Sequence, residues 1–430
     1  MKRRANRVRT DTARQHQDPL RTSGTPITSQ VLPYGRQSID AEDISAVADV
    51  LRSDWLTTGP TVRNLEQSIE SRFGAQHAVA VSSGTAALHL AAMALGLGPG
   101  DKVVVPTITF LSTANAIRFA GADVVFCDVD PDSGLMRPSD LHKAIDEHPA
   151  GSIKAVFPVH LAGQVCDMPG IAAIGRQLEL HIVEDACHAI GGDYHDGPEV
   201  LPVGSCRHSD MAAFSLHPVK TITMGEGGLV CTNRADLNRA LLHLRNHGMV
   251  RDPEGFENKE LAFDETGSPN PWYYEMSALG YNYRASDLHC ALGSSQLGKL
   301  DGFVHERRQL AERYNQLLTD LTPLVRPITR QSGRPPAWHL YVVLIDFEAA
   351  ALSRAAIMKR MLNYGIATQV HYVPVHRQPY YSNLYGARQL PGAERYYGRC
   401  LSLPLHPSMT DHDVDRVVEA LTLSLDLGQG

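Results

Sequence analysis

Ser215-Leu216-His217-Pro218-Val219-Lys220 runs directly into Thr221-Ile222-Thr223-Met224-Gly225-Glu226-Gly227-Gly228. A lysine thus follows an apolar strand and precedes a glycine-rich turn. A dry cleft at such a junction lowers an amine's pKa and makes it nucleophilic. A surface lysine before a hairpin is the plain alternative.

Upstream, His181-Ile182-Val183-Glu184-Asp185 sets two carboxylates at the end of a short apolar strand. Ligands bind at that end of open α/β sheets, and a carboxylate there can pair with a protonated ring nitrogen. Solubility or a structural ion pair would explain it too. Further upstream, Ser83-Gly84-Thr85 separates the strand His77–Val81 from an Ala/Leu-rich helix reaching Leu95. Free N–H groups and the helix dipole make that junction a phosphate seat. A simple N-cap accounts for it equally well. In order, the three features supply what a pyridine aldehyde phosphate requires at its phosphate, ring nitrogen and aldehyde carbon.

Around them, strand and helix signals alternate. Asp40–Ser53 reads as an amphipathic helix with Ile44, Val47, Val50 and Leu51 on one face. Strands are expected at Lys102–Val105, Val124–Asp128, Lys154–Val159 and His181–Val183, and a helix at Thr113–Ala120. Short apolar strands between helices imply a mostly parallel sheet covered on both faces. Residues 252–271 are polar and rich in Gly and Pro, as in a surface excursion. Ser286–Asp320 reads as one long helix. A second unit follows, with strands His339–Ile345 and Ile366–Tyr372 and helices Ser353–Tyr364 and Asp411–Leu423. The expected organisation is a basic, disordered extension over 1–30, a large unit over 31–320 and a smaller α/β unit over 321–430.

The 430 residues carry 40 Lys+Arg against 47 Asp+Glu, so the body is not a general polyanion binder. Nucleic acid and membrane are not expected partners. The seven cysteines include no Cys-x-x-Cys pair, so reduced thiols in the cytoplasm are expected and neither a disulfide framework nor a zinc ribbon. No metal site is expected from the scattered histidines. Serine-hydrolase elbow, zincin and Walker motifs are absent.

The sequence from about Tyr34 to Leu423 resembles the DegT/DnrJ/EryC1/StrS sugar aminotransferases of PLP (pyridoxal 5′-phosphate) fold type I. Within them it is most similar to transaminases that make UDP-4-amino-4,6-dideoxy-N-acetyl-β-L-altrosamine for pseudaminic acid. The likeness rests on Leu56-Thr57-Thr58-Gly59-Pro60, on the phosphate-seat and lysine motifs above, and on Arg245-Asn246-His247-Gly248-Met249. Pro271-Trp272-Tyr273-Tyr274-Glu275, Gly280-Tyr281-Asn282-Tyr283-Arg284 and Gln369-Val370-His371-Tyr372-Val373-Pro374-Val375-His376 carry it further.

The resemblance implies that Lys220 carries PLP covalently and moves protons, and that Asp185 pairs with the pyridine nitrogen. It implies that Phe110 stacks on the ring and that His188 contacts the ring hydroxyl, where relatives often have Gln. Gly84, Thr85 and Ser215 would bind the phosphate, with Asn282 contributed by the other subunit of a homodimer. Tyr34, Trp55, Leu56, Thr57, Gln369, His371 and Tyr372 would hold the nucleotide sugar. L-Glutamate would be the amino donor. The rival readings are an aminotransferase for another nucleotide-linked keto sugar (dTDP-, GDP- or other UDP-sugar), the 3-dehydratase branch, which has histidine at the lysine position, and a non-catalytic regulator.

Overall fold

Runs of β-branched residues become strands because branched side chains pack well on a pleated, buried surface. The computed structural model describes residues 31–331 and 336–427, so the basic extension expected over 1–30 lies outside them. The strands are β1 (His77–Val81), β2 (Lys102–Pro106), β3 (Asp123–Cys127), β4 (Ile153–Val156), β5 (His181–Asp185), the hairpin β6–β7 (Asp193–Asp196, Glu199–Pro202), β8 (Met211–Ser215) and β9 (Gly228–Thr232). Seven of them form one sheet in the order β1-β9-β8-β5-β4-β2-β3. β3, β2, β4, β5 and β8 pair in parallel, while β9 runs antiparallel to both β8 and β1. The mixed, mostly parallel α/β sheet of fold type I is therefore present.

Alternation along the strands feeds separate buried clusters on the two faces of the sheet. Val104 of β2, Val125 of β3 and Ile182 of β5 join one buried cluster. Val103 and Val105, Val124 and Phe126, and Val183 join another. With both faces covered, only the strand ends are open to a ligand.

Helices cover the sheet. Helix α1 (Ala41–Arg52) has a capping box in which Asp40 accepts from the Asp43 N–H and Asp43 accepts from the Asp40 N–H. Its apolar face is only partly buried: Val50 is inside, but Ile44 is 65% and Leu51 60% exposed. What anchors this helix is polar, since the buried Asp43 carboxylate accepts from Ser295 Oγ (2.6 Å) and Gln296 Nε2 (2.8 Å). Next come α2 (Pro60–Phe73), α3 (Gly84–Ala94) and α4 (Leu111–Phe119). Buried along most of its length, α3 is apolar apart from Thr85 and His89, as a helix enclosed by the core tends to be.

Two expectations need correction. The long helix over 286–320 breaks at Lys299 into 287–298 and 300–317, followed by a short 3-10 turn. Lys299 Nζ reaches back to Asp40 (2.5 Å) and Asp43 (3.0 Å), which ties the break to the start of α1. The strand expected over 366–372 is irregular chain, held by single bridges from Ile366 to Leu32 and from Gln369 to Ser402. Beyond Gln369 the chain leaves the sheet edge, and the His371 ring bonds the Ser402 side chain instead. A three-stranded sheet of 325–327, 341–345 and 400–403 lies beside this segment. The excursion at 252–271 contains short helical turns and a single Phe263–Pro269 bridge and is largely exposed.

Candidate active site

The lysine loop and the phosphate-seat motif are one structure. Beyond β8 the Leu216 N–H donates to the Gly227 carbonyl, the Met224 N–H donates to the Leu216 carbonyl, and the Lys220 N–H closes a turn on His217 (2.8 Å). A Cβ on Gly228 would lie 2.5 Å from the Ser83 carbonyl oxygen, and one on Gly84 would lie 2.7 Å from Ser215 Cβ. Only glycine lets these segments touch. Ser83 does cap α3, accepting from the Ala86 N–H at 3.1 Å. That leaves the first-turn N–H groups of Gly84 and Thr85 with no intrahelical acceptor, beside the Ser215 hydroxyl.

The adjacent carboxylates at the end of β5 face different surroundings. Glu184, fully buried, accepts from His160 Nε2 (2.8 Å) and Ser209 Oγ (2.5 Å). His160 Nδ1 accepts the Cys166 N–H, so its proton sits on Nε2 and points at Glu184. The structural alternative thus describes Glu184, whose carboxylate is satisfied by hydrogen bonds from His160 and Ser209. Asp185, 4% exposed, instead accepts from Thr113 Oγ1 (2.6 Å) and the Cys187 N–H (3.2 Å). Burial lowers the Lys220 amine below its ordinary pKa, and the negative charge of Asp185 partly opposes this.

A ring of aromatic and imidazole groups surrounds Lys220. His188 Nδ1 accepts the Ala162 N–H (3.3 Å), which puts its proton on Nε2, 3.1 Å from the Tyr372 hydroxyl. Its ring packs on that of His339 at 4.4 Å. Burial, aided by the positive charge of Lys220, keeps both imidazoles far below their usual pKa and therefore neutral. The same causes push His371 down to about 3, and Ser402 Oγ holds its Nδ1 at 2.8 Å. Tyr34 packs on His371 at 5.7 Å, and Tyr372 lies 6.1 Å from Phe110. Phe110, which follows β2 at the start of α4, is 54% exposed.

The remaining expected residues sit further out. The loop of Trp55, Leu56 and Thr57 is exposed and tied to the helix at 287–298: Thr57 bridges Ser286, and the Asp287 N–H donates to the Leu56 carbonyl. Gln369 is exposed and caps its own neighbour, accepting the Val370 N–H. Asn282 is exposed and bridges Asn246 through the backbone. His217 accepts the Val219 N–H on Nδ1, a backbone-capping role. Sequence reading missed Thr109, Thr113, His339 and Ser402. Thr109 is the sequence neighbour of Phe110, but the other three carried no local signal.

Together the groups fit PLP. The fit rests on a glycine-lined cradle at a helix N-terminus, a buried carboxylate with unfilled lone pairs, a half-buried lysine whose pKa burial lowers and an exposed aromatic side chain. Among the described residues no group of three or more His, Cys, Asp and Glu could hold a metal, and no helix is long and apolar enough to cross a membrane.

The model of the DegT/DnrJ/EryC1/StrS aminotransferase family matches residues 37–422. The spore coat polysaccharide biosynthesis protein SpsC of Bacillus subtilis (strain 168) is 39% identical over 393 residues, covering 91% of this chain and 96% of that protein. Among solved structures, Helicobacter pylori PseC, an aminotransferase of pseudaminic acid biosynthesis, superposes with a TM-score of 0.81 at 25% identity, over 92% of this chain and all of PseC. The PLP form of the putative sugar aminotransferase Spr1654 from Streptococcus pneumoniae gives 0.79 at 27% identity, over 92% of this chain and 99% of that one. A lysine beside a glycine cradle, a buried aspartate at a strand end and a family match across nearly the whole described chain converge: the protein belongs to the DegT/DnrJ/EryC1/StrS family of PLP-dependent sugar aminotransferases.

Proposed function

We propose that the chain transfers the amino group of L-glutamate to C4 of a UDP-linked 4-keto-6-deoxy-N-acetylhexosamine, giving UDP-4-amino-4,6-dideoxy-N-acetyl-β-L-altrosamine. The observation that carries the reaction class is the half-buried Lys220, in the loop after β8, within electrostatic reach of the buried Asp185, on the same chain segment whose Gly228 packs against Ser83 next to the Gly84–Ser215 contact. The sequence motifs and the likeness to PseC support the sugar.

PLP supplies electron-sink chemistry when bound. In this reading Lys220 Nζ, its pKa lowered by burial, anchors the cofactor and moves the proton at the substrate carbon. Asp185 holds the ring nitrogen protonated. The Gly84 and Thr85 N–H groups and Ser215 bind the phosphate, joined by Asn282 from a second copy of the chain, so the working unit is a homodimer. Phe110 covers one ring face and excludes water. His188, whose Nε2–H is directed at Tyr372, reaches the ring hydroxyl as part of that pair. Tyr34, Gln369, His371 and Tyr372 line the sugar side, with Trp55, Leu56 and Thr57 on the nucleotide. Binding energy from the uridine diphosphate orients C4 toward Lys220, and the face presented to Nζ sets the configuration of the new amine.

A second reading keeps the chemistry and changes the sugar. The 39% identity to SpsC favours a nucleotide-linked keto sugar destined for a surface polysaccharide. Offering the PLP-loaded enzyme glutamate and a panel of UDP-, dTDP- and GDP-linked keto sugars decides between them. Mass spectrometry identifies the aminated product and NMR its C4 configuration. Amination of the UDP 4-keto-N-acetylhexosamine to the altro product is expected. Preference for another nucleotide sugar moves the assignment to the second reading, and no amination of any of them refutes both.

A further inference from the structure

The carboxylate of Asp185 has one protein donor on each oxygen. Thr113 Oγ1 donates to Oδ2 at 2.6 Å, and the Cys187 N–H donates to Oδ1 at 3.2 Å. An ionised carboxylate can only accept, so the single hydroxyl proton of Thr113 is committed to Asp185. The Phe110 carbonyl, 3.4 Å from the same hydroxyl, is too far to compete. Thr109 Oγ1 lies 2.7 Å from Thr113 Oγ1. With the Thr113 proton spent, the Thr109 hydroxyl must be the donor in that pair.

The direction of both protons is therefore fixed, from Thr109 to Thr113 to Asp185. All three residues are buried, so water does not compete with the chain. Hydrogen bonds in series polarise one another, and each is stronger in a low-dielectric interior. The sequence spacing builds the arrangement. Thr109 precedes Phe110 at the start of α4, and Thr113 lies in the first turn of that helix.

Resting on the reading that Asp185 faces the ring nitrogen of PLP, we infer that Thr113, oriented by Thr109, is a positioning residue that sets the proton affinity of Asp185. A hydrogen bond donated to a carboxylate favours its charged form. Removing it makes a buried carboxylate the stronger base, and the proton shared with the ring nitrogen moves toward the oxygen. The relay forms and breaks no covalent bond. It holds the ring nitrogen protonated by keeping its partner ionised.

The test uses nitrogen-15-labelled PLP bound to the wild type and to Thr113→Val, Thr113→Ser and Thr109→Val enzymes. It reads the NMR shift of the ring nitrogen, the cofactor's Kd for the apoenzyme, and kcat and KM separately. In the wild type the ring nitrogen is expected at its protonated position. Thr113→Val moves it toward the unprotonated position and lowers kcat about ten- to a hundredfold, the worth of a hydrogen bond to a charged group, with KM for glutamate little changed. Thr113→Ser restores both, and Thr109→Val shifts both in the same direction by less. A protonated ring nitrogen in Thr113→Val, or failure of serine to restore it, overturns the inference. Should the valine variant not fold, Thr109→Val, which does not touch Asp185, decides: an unchanged shift and kcat overturn it. An unprotonated ring nitrogen in the wild type instead refutes the underlying pairing of Asp185 with the cofactor.

Discussion

Gly84→Ala tests the cradle most sharply, because the structure fixes where the added methyl goes. It would lie 2.7 Å from Ser215 Cβ, 3.1 Å from Ser215 Oγ and 3.2 Å from Ser215 Cα. These atoms belong to the end of a central strand and cannot swing aside as a flexible side-chain tip would. Overpacking of this kind costs about 1–3 kcal/mol. Against it stands about 0.4–1 kcal/mol from the lower backbone entropy of alanine in the unfolded chain. The net expectation is a loss of about 1.3 kcal/mol of apoenzyme stability, within a range of roughly 0–2.6 kcal/mol. The methyl also stands beside the free N–H groups of Gly84 and Thr85, so PLP affinity should fall by more than the stability change accounts for. Denaturant unfolding of the apoenzyme and a fluorescence titration with PLP measure the two effects separately. In a Ser215→Gly background, which removes Cβ and Oγ together, the stability cost of Gly84→Ala should largely vanish. If Gly84→Ala leaves both stability and affinity unchanged, or costs as much in the Ser215→Gly background, the close contact of helix and strand is not what shapes the seat.

Lys220→Ala should fold and still bind PLP, but lose roughly 10²–10⁴-fold or more in turnover because the proton carrier is gone; single-turnover assays check this. Asp185→Asn should keep the cofactor and react about 10²–10³-fold more slowly, the usual effect of removing one preorganised electrostatic partner. An unchanged rate would make the carboxylate structural only. His371 titrates near 3 in the folded chain and near 6.5 when unfolded, so the unfolded state binds more protons between those values. Stability from this group is complete above the unfolded pKa and is lost as pH falls toward the folded one. Acidification from about pH 7.5 to 5 should cost about 2 kcal/mol through His371 alone, and His371→Asn should flatten that part of the pH–stability curve.

Legibility followed locality. The β-branched runs at 102–105 and 124–127 and the helix start at Ser83 declare themselves within a few residues, because pleat alternation and capping are local effects. The places of Lys220 and Asp185 in the fold were legible for the same reason, since Asp185 ends β5 and Lys220 lies in the loop after β8, each marked by its own neighbours. The break at Lys299 was foreshadowed only by Gly298, and its tie is a contact with residues some 250 positions earlier. The segment over 366–372 has strand composition, yet its side chains are claimed by Ser402 and His188 rather than by a ladder. His339 and Ser402 reach the site through the fold of the C-terminal third of the chain, and no spacing near them announces it. Thr113 looks like an ordinary helix residue until β5 brings Asp185 against it.

Borohydride reduction of the PLP-loaded enzyme, followed by proteolysis and peptide mass spectrometry, tests the central claim most directly. The phosphopyridoxyl mass is expected on Lys220 alone. Its appearance on another lysine, or on none, would contradict the account.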